Sequence, residues 1–247
     1  SDDAMDPLAY TLHDRAVRGK PGLFTPPRNI DLSTLRLAYS ADLGGAPTES
    51  TVRAAFAKVV AGAAPLFRDA ADAHPDCDGA DEAFEMLRAT GVLTSHYDKV
   101  QTRPQDCGPN IIANVQEGLG YSLRDHARAS ALQTKIYRNF QTFFRDHDVL
   151  ITPGITVSPR PWRELFPSQI DGKPTRTYFH WLSLAYYVTL TGHPAVCLPV
   201  GVDANGMPFG LQVVGRFRGD LALLAAAQAM ESAFAASPVL RRPRPDP

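Results

Sequence analysis

The sequence predicts an α/β fold, part of a mixed β-sheet flanked by helices. A half-buried strand pattern at residues 35–40 runs into an amphipathic helix pattern at residues 49–61. A β-rich run ends in proline at residues 148–153, and two more at residues 195–202 and 209–216 are joined by Asp203-Ala204-Asn205-Gly206. Strands and helices therefore alternate along the chain, with a hairpin near its end.

Residues 1–33 read as a connecting segment, rich in Pro7, Pro21, Pro26 and Pro27, with at most one helix near residues 7–18. A single α/β body follows over 34–240, and 241–247 form a Pro/Arg tail. In the first strand apolar and polar residues alternate, and Gly44-Gly45 then turns the chain. Val52, Ala55, Phe56, Val59 and Val60 repeat at helical spacing behind Thr48 as the expected cap, a face that must pack on a sheet. Residues 74–79 and 103–109 read as surface loops, and 81–90 as a short helix. Ser122 and Asp125 match a capping box, which opens a long helix to about Asp146 with Ala129, Leu132, Ile136, Phe140, Phe143 and Phe144 mainly on one side.

The run at 148–153 reads as a buried strand, followed by a loop to about Lys173. Residues 177–202 contain no Lys, Arg, Asp or Glu, a length that could cross a bilayer. His180, Ser183, Gly192, His193 and Pro194 interrupt the stretch, so a buried helix followed by a buried strand is expected and no membrane span. Asn205-Gly206 supplies residues that tolerate positive φ for the hairpin turn. A last helix starts near Asp220, carrying Leu221, Leu224, Ala225 and Gln228 towards Phe234.

With 247 residues, 44% hydrophobic and 21% charged, the composition excludes fibrous, disordered and disulfide-scaffold classes. A net charge of −1 leaves no basic surplus for nucleic acid. Cys77, Cys107 and Cys197 lie too far apart for a metal or redox pair and read as reduced thiols of a cytoplasmic protein; Ser1-Asp2-Asp3 does not open a signal peptide pattern.

Nucleophilic hydrolysis needs an activated side chain, a base within reach and donors for the oxyanion. No serine lies in a Gly-x-Ser-x-Gly turn, the seven histidines are scattered singly, and no phosphate-binding glycine loop opens a helix. No metal or cofactor is expected. Asp146-His147-Asp148 is the one acid-histidine cluster, and its place at the end of a long helix favours a structural role. Tyr178, Phe179, Trp181, Tyr186 and Tyr187 concentrate aromatics in one apolar segment, as core or as a pocket wall.

Thr191-Gly192-His193-Pro194-Ala195-Val196-Cys197-Leu198-Pro199-Val200-Gly201, then Asn205-Gly206-Met207-Pro208-Phe209-Gly210-Leu211-Gln212-Val213-Val214-Gly215, closely resemble the C-terminal hallmark of the amidase signature family. Ala227 to Glu231 is similar to the A-x-x-x-E pattern of its last helix, Asp148 to Pro153 to its D-x-L-x-T-P strand, and residues 157–172 to the excursion after that strand. The likeness is strong over residues 120–235 and weak over 60–110.

The resemblance implies the C-terminal part of the amidase signature fold and a parent enzyme that hydrolyses carboxamides through an acyl-enzyme. In the family, two serines and a lysine in a Gly/Ser-rich first half do that chemistry. None of Lys20, Lys58, Lys99, Lys135 and Lys173 sits in a segment like the family's lysine strand, so no catalytic residue is assigned here and the chain alone is expected to be inactive. The helix before Gly192 and the loop after Pro153 are implied to approach the substrate, which makes Gly154, Ile155, Trp181, Tyr186 and Thr189 the candidate substrate-binding residues. Expected partners are a small-molecule amide, the missing N-terminal catalytic half and, through the apolar face it would cover, a second copy of the chain. The alternative readings are a non-catalytic binding or assembly module and a glutamine amidotransferase A-type subunit.

Overall fold

A computed structural model describes residues 28–243; the helix expected near residues 7–18 and the end of the tail lie outside them. A five-stranded mixed sheet organises the chain. Its strands are β1 (Arg36–Tyr39), β2 (Asp69–Asp72), β3 (Val149–Pro153), β6 (Ala195–Val202) and β7 (Pro208–Val214), in the order β2-β1-β3-β7-β6. β1 is parallel to both β2 and β3, while β7 runs antiparallel to β3 and β6. Two short strands, β4 (Gln169–Ile170) and β5 (Lys173–Pro174), form a separate hairpin in the excursion after β3.

Helices cover both faces. On one, α1 (Ser50–Ala63) and α6 (Asp220–Ala235) pack Val52, Phe56, Val59, Leu223, Met230 and Phe234 against Leu37, Val149, Ile151, Leu211 and Val213. On the other, α4 (Leu123–Asp146) and α5 (Ser183–Thr189) bring Ile136, Phe140, Phe144, Leu184 and Tyr187 onto Ala38, Leu150 and Val214. All five residues of β3 are buried, as expected of a central strand covered on both sides.

Several elements depart from the sequence expectation. The helix starting near residue 81 runs to residue 102 as α2 (Ala80–Thr102), and α3 (Pro109–Gly120) follows a single 3-10 turn, where the sequence predicts only a loop at 103–109. The Asp-Ala-Ala-Asp strand β2 carries no apolar alternation because it is a mostly exposed edge. Thr48 does not cap α1: its hydroxyl bonds the Ala46 carbonyl, and Glu49 holds the cap position. On α6 the inward face is Leu223, Ala226, Ala227 and Met230, and Leu221 and Leu224 are 44% and 45% exposed. The strand at 195–202 is half covered, with Ala195, Cys197 and Pro199 exposed.

Other features match. Ser122 Oγ accepts from the Asp125 amide at 3.2 Å and the Asp125 carboxylate accepts from the Ser122 amide at 2.9 Å, a complete capping box. In the β6–β7 turn Gly206 takes φ +76°, while the Asp203 carboxylate accepts from the Asn205 and Met207 amides at 2.8 and 2.9 Å. Glycine thus supplies the positive φ, and an aspartate side chain fixes the rest of the turn.

Candidate functional site

The C-terminal end of β3 and the start of β7 meet at two glycines. The Gly154 amide donates to the Gly210 carbonyl at 2.7 Å. A Cβ on Gly154 would stand 3.1 Å from that oxygen and 3.3 Å from Cys197 Sγ, tighter than an ordinary contact, so the close approach of β3 to β7 favours glycine there. Beside them opens a cleft of about 390 Å³. Val52 of α1 and Phe209 of β7 lie at one side, the excursion after β3 supplies Val157, Trp162 and Phe166, and Trp181 completes the wall.

The excursion is held by polar contacts reaching far along the chain. Glu49 accepts from the Ser158 amide at 2.8 Å, and the Glu49 amide donates to the Thr156 carbonyl at 2.8 Å. Asp171 accepts from the Ser50 amide at 2.8 Å and the Ser50 hydroxyl at 3.1 Å, capping α1 from 121 residues away. Fully buried Thr156 donates to the Trp181 carbonyl, and Trp181 Nε1 donates to the Tyr178 carbonyl at 2.9 Å. Gln212 Nε2 donates both to Thr152 Oγ1 at 3.0 Å and to the Leu184 carbonyl at 3.1 Å, tying β7 to β3 and to α5.

The five candidate residues do not share one place. Ile155, 38% exposed, and Trp181 line the cleft, and Gly154 lies at its edge through Gly210. Tyr186 is buried in the core, stacked on Phe84 at a centroid distance of 4.1 Å, with its hydroxyl donating to Asp81 at 2.6 Å. Burial and that carboxylate push its pKa up, so the phenol stays protonated. Thr189 is exposed on α5, its hydroxyl bonded to the Ala185 carbonyl at 3.0 Å. Sequence reasoning does not single out Val157, Leu165, Phe166 or Phe209 as cleft residues; the available signal is a proline-broken loop that keeps Trp162 and Leu165 83% and 81% exposed.

Proton chemistry is sparse around the cleft. Its charged lining residues, Arg160 and Glu164, face each other at 3.3 Å. Partial burial of the sulfur raises the pKa of the Cys197 thiol, which favours the un-ionised form. Lys58, Lys99, Lys135 and Lys173 are all exposed, and Lys135 Nζ stands 3.7 and 3.6 Å from the Asp76 and Asp78 carboxylates. Lys20 lies outside the described residues. The buried Ser183 hydroxyl is bonded to the His180 carbonyl and stands 3.1 Å from the Tyr186 hydroxyl. Among the described residues, no three His, Cys, Asp or Glu side chains converge to hold a metal ion, and no helix is long and apolar enough to cross a membrane.

Residues 8–224 match the family model described as Amidase. The chain is 27% identical over 205 residues to an acylamidase of Rhodococcus erythropolis, covering 82% of this chain and 43% of that protein. It is 35% identical over 157 residues to the A-type subunit of the glutamyl-tRNA(Gln) amidotransferase of Gluconobacter oxydans, covering 63% and 28%. In fold it resembles a bacterial aryl acylamidase of the amidase signature enzymes, with a TM-score of 0.72, 18% identity, and coverage of 82% of this chain and 44% of that one. The chain thus spans less than half the length of these relatives, and the mixed sheet with flanking helices is the fold it shares with the aryl acylamidase. On the extent of the family match, the chain belongs to the amidase signature family.

Proposed function

We propose that this chain is the C-terminal portion of an amidase-type hydrolase cleaving carboxamide C–N bonds, and that it builds the substrate-side wall of the cleft without the reactive groups. One observation carries this reading: a family match over residues 8–224 falls on a chain that covers 43% of the acylamidase it resembles. The exposed lysines support it, because a lysine base needs burial or a neighbouring cation to release its proton near neutral pH. The nucleophile and base then reside in polypeptide encoded ahead of Ser1. That polypeptide covers Ala195, Cys197 and Pro199 on the half-exposed strand β6; in its absence a second copy of the chain does so. Three free thiols fit a cytoplasmic enzyme.

A glutamine amidotransferase subunit is the second reading, favoured by the 35% identity to one such protein. The amidase reading is preferred because the acylamidase match extends over 82% of this chain against 63%.

Hydrolysis of a panel of simple amides tests the proposal. The purified 247-residue chain should release no ammonia or amine above the uncatalysed rate, and the chain extended by its upstream coding sequence should turn the panel over. Turnover by the short chain that follows the protein through purification would overturn the assignment, as would an inert extended chain.

A further inference from the structure

Trp181 reaches the cleft from a segment that α2 and α3 hold by polar contacts. Arg88 of α2 donates to the Tyr178 hydroxyl and to Asn114 Oδ1, and its guanidinium lies over the Tyr178 and Phe179 rings at 5.0 and 4.5 Å. Asn114 of α3, 2% exposed, donates from Nδ2 to the same hydroxyl at 2.7 Å and to the Asn110 carbonyl. Both lone pairs of the Tyr178 oxygen are thereby taken, which fixes the phenol in one orientation. Two residues back, Arg176 pairs with Glu85 and stands 3.7 Å from Asp81, both on α2.

The anchoring continues into the cleft. Trp181 Nε1 donates to the Tyr178 carbonyl at 2.9 Å, and the Tyr178 ring meets that of Phe166, another cleft residue, at 6.1 Å between centroids. Buried Thr156 holds the Trp181 carbonyl from the other side. Burial lowers the pKa of Arg88, so keeping a cation there carries a cost. A methionine would pack over the same rings without it. What the guanidinium adds is direction, because a satisfied buried polar network specifies one geometry where apolar packing admits several.

We propose that Arg88 and Asn114 are positioning residues for amide hydrolysis, acting through Tyr178 to set the Trp181 wall of the cleft. The inference rests on the amidase reading and gives α2 and α3 a part in substrate binding without contact with substrate.

Steady-state kinetics of the chain extended by its upstream coding sequence test it. Arg88→Met and Tyr178→Phe should each raise KM about five-fold and leave kcat within about two-fold, because a displaced wall weakens ground-state and transition-state binding alike. The double variant should be no worse than either single one, since both remove the same contact. Arg88→Lys keeps the cation but reaches one oxygen at a time, and should recover part of the loss. Arg128→Met removes an ion pair to Glu82 that also secures α2, and should change neither constant.

Trp181 fluorescence reads the same displacement without turnover. In the 247-residue chain Trp162→Phe, at a side chain 83% exposed, leaves Trp181 as the single tryptophan. On this background Arg88→Met and Tyr178→Phe should each raise acrylamide quenching of Trp181 about two-fold, and Arg128→Met should not. Unchanged KM and quenching in both variants, a fall in kcat alone, additive losses in the double variant, or the same response in Arg128→Met would overturn the proposal. An extended chain that hydrolyses nothing would sink the amidase reading, and the quenching result then decides this inference by itself.

Discussion

His193 is packed among the rings of Phe140, Phe144 and Phe217 at centroid distances of 5.1, 5.4 and 5.8 Å, with Nδ1 2.9 Å from Thr191 Oγ1. Burial disfavours the imidazolium and lowers the pKa from 6.5 to about 4. Between those values the unfolded chain binds the extra proton and the folded one does not, so stability is complete above about pH 6.5 and falls as the pH drops towards 4. The full effect is about 3 kcal/mol. Urea melts at pH 7 and pH 4.5 should show it as a lowered midpoint, and His193→Phe should flatten the dependence. Asp148 shows the opposite balance of forces: burial raises its pKa, but hydrogen bonds and charge from Arg36, with Arg216, outweigh this and lower it. Its contribution is present above the unfolded carboxyl range and is lost as pH falls through the folded value. Asp148→Asn should cost about 1–2 kcal/mol in a urea melt at pH 7. The Asp146-His147-Asp148 cluster is visible in the sequence as structural, but its partner Arg36, 112 residues away, is not, because a tertiary ion pair leaves no local pattern.

At the scale of elements, legibility follows burial pattern. α1 and α4 are readable from one apolar face, and the β6–β7 hairpin from Asn205-Gly206, because burial on one side imposes a period. β2 is not, since Asp69-Ala70-Ala71-Asp72 buries too little to alternate. α3 escapes the sequence reading because Asn114, Val115 and Gly118 form its buried face, a polar and small set that hides the helical spacing. The α1 cap is misplaced for a different reason: Asp171 and Glu49 join the helix start to the excursion after β3, a contact no neighbouring residue encodes. Asp171→Ala should therefore lower stability by about 1 kcal/mol in a urea melt, with a correspondingly lower midpoint. Of the five candidate site residues, Ile155 and Trp181 reach the cleft and Gly154 borders it; Tyr186 and Thr189 share their segment's apolar character but face the core and solvent.

For the whole molecule, the sheet is covered on both faces along β1 and β3 but ends at a half-exposed β6. That edge is the proposed docking surface for a second polypeptide or, in its absence, a second copy of the chain. Small-angle scattering of the 247-residue chain should show a dimer that Cys197→Arg disperses, and a monomer at all concentrations would remove the proposed contact. Labelling with a serine-directed fluorophosphonate, with the adduct located by mass spectrometry, decides whether a reactive serine lies within residues 1–247. No adduct is expected on the 247-residue chain, and a single labelled serine is expected ahead of Ser1 in the extended one. An adduct on any serine within residues 1–247 would contradict it.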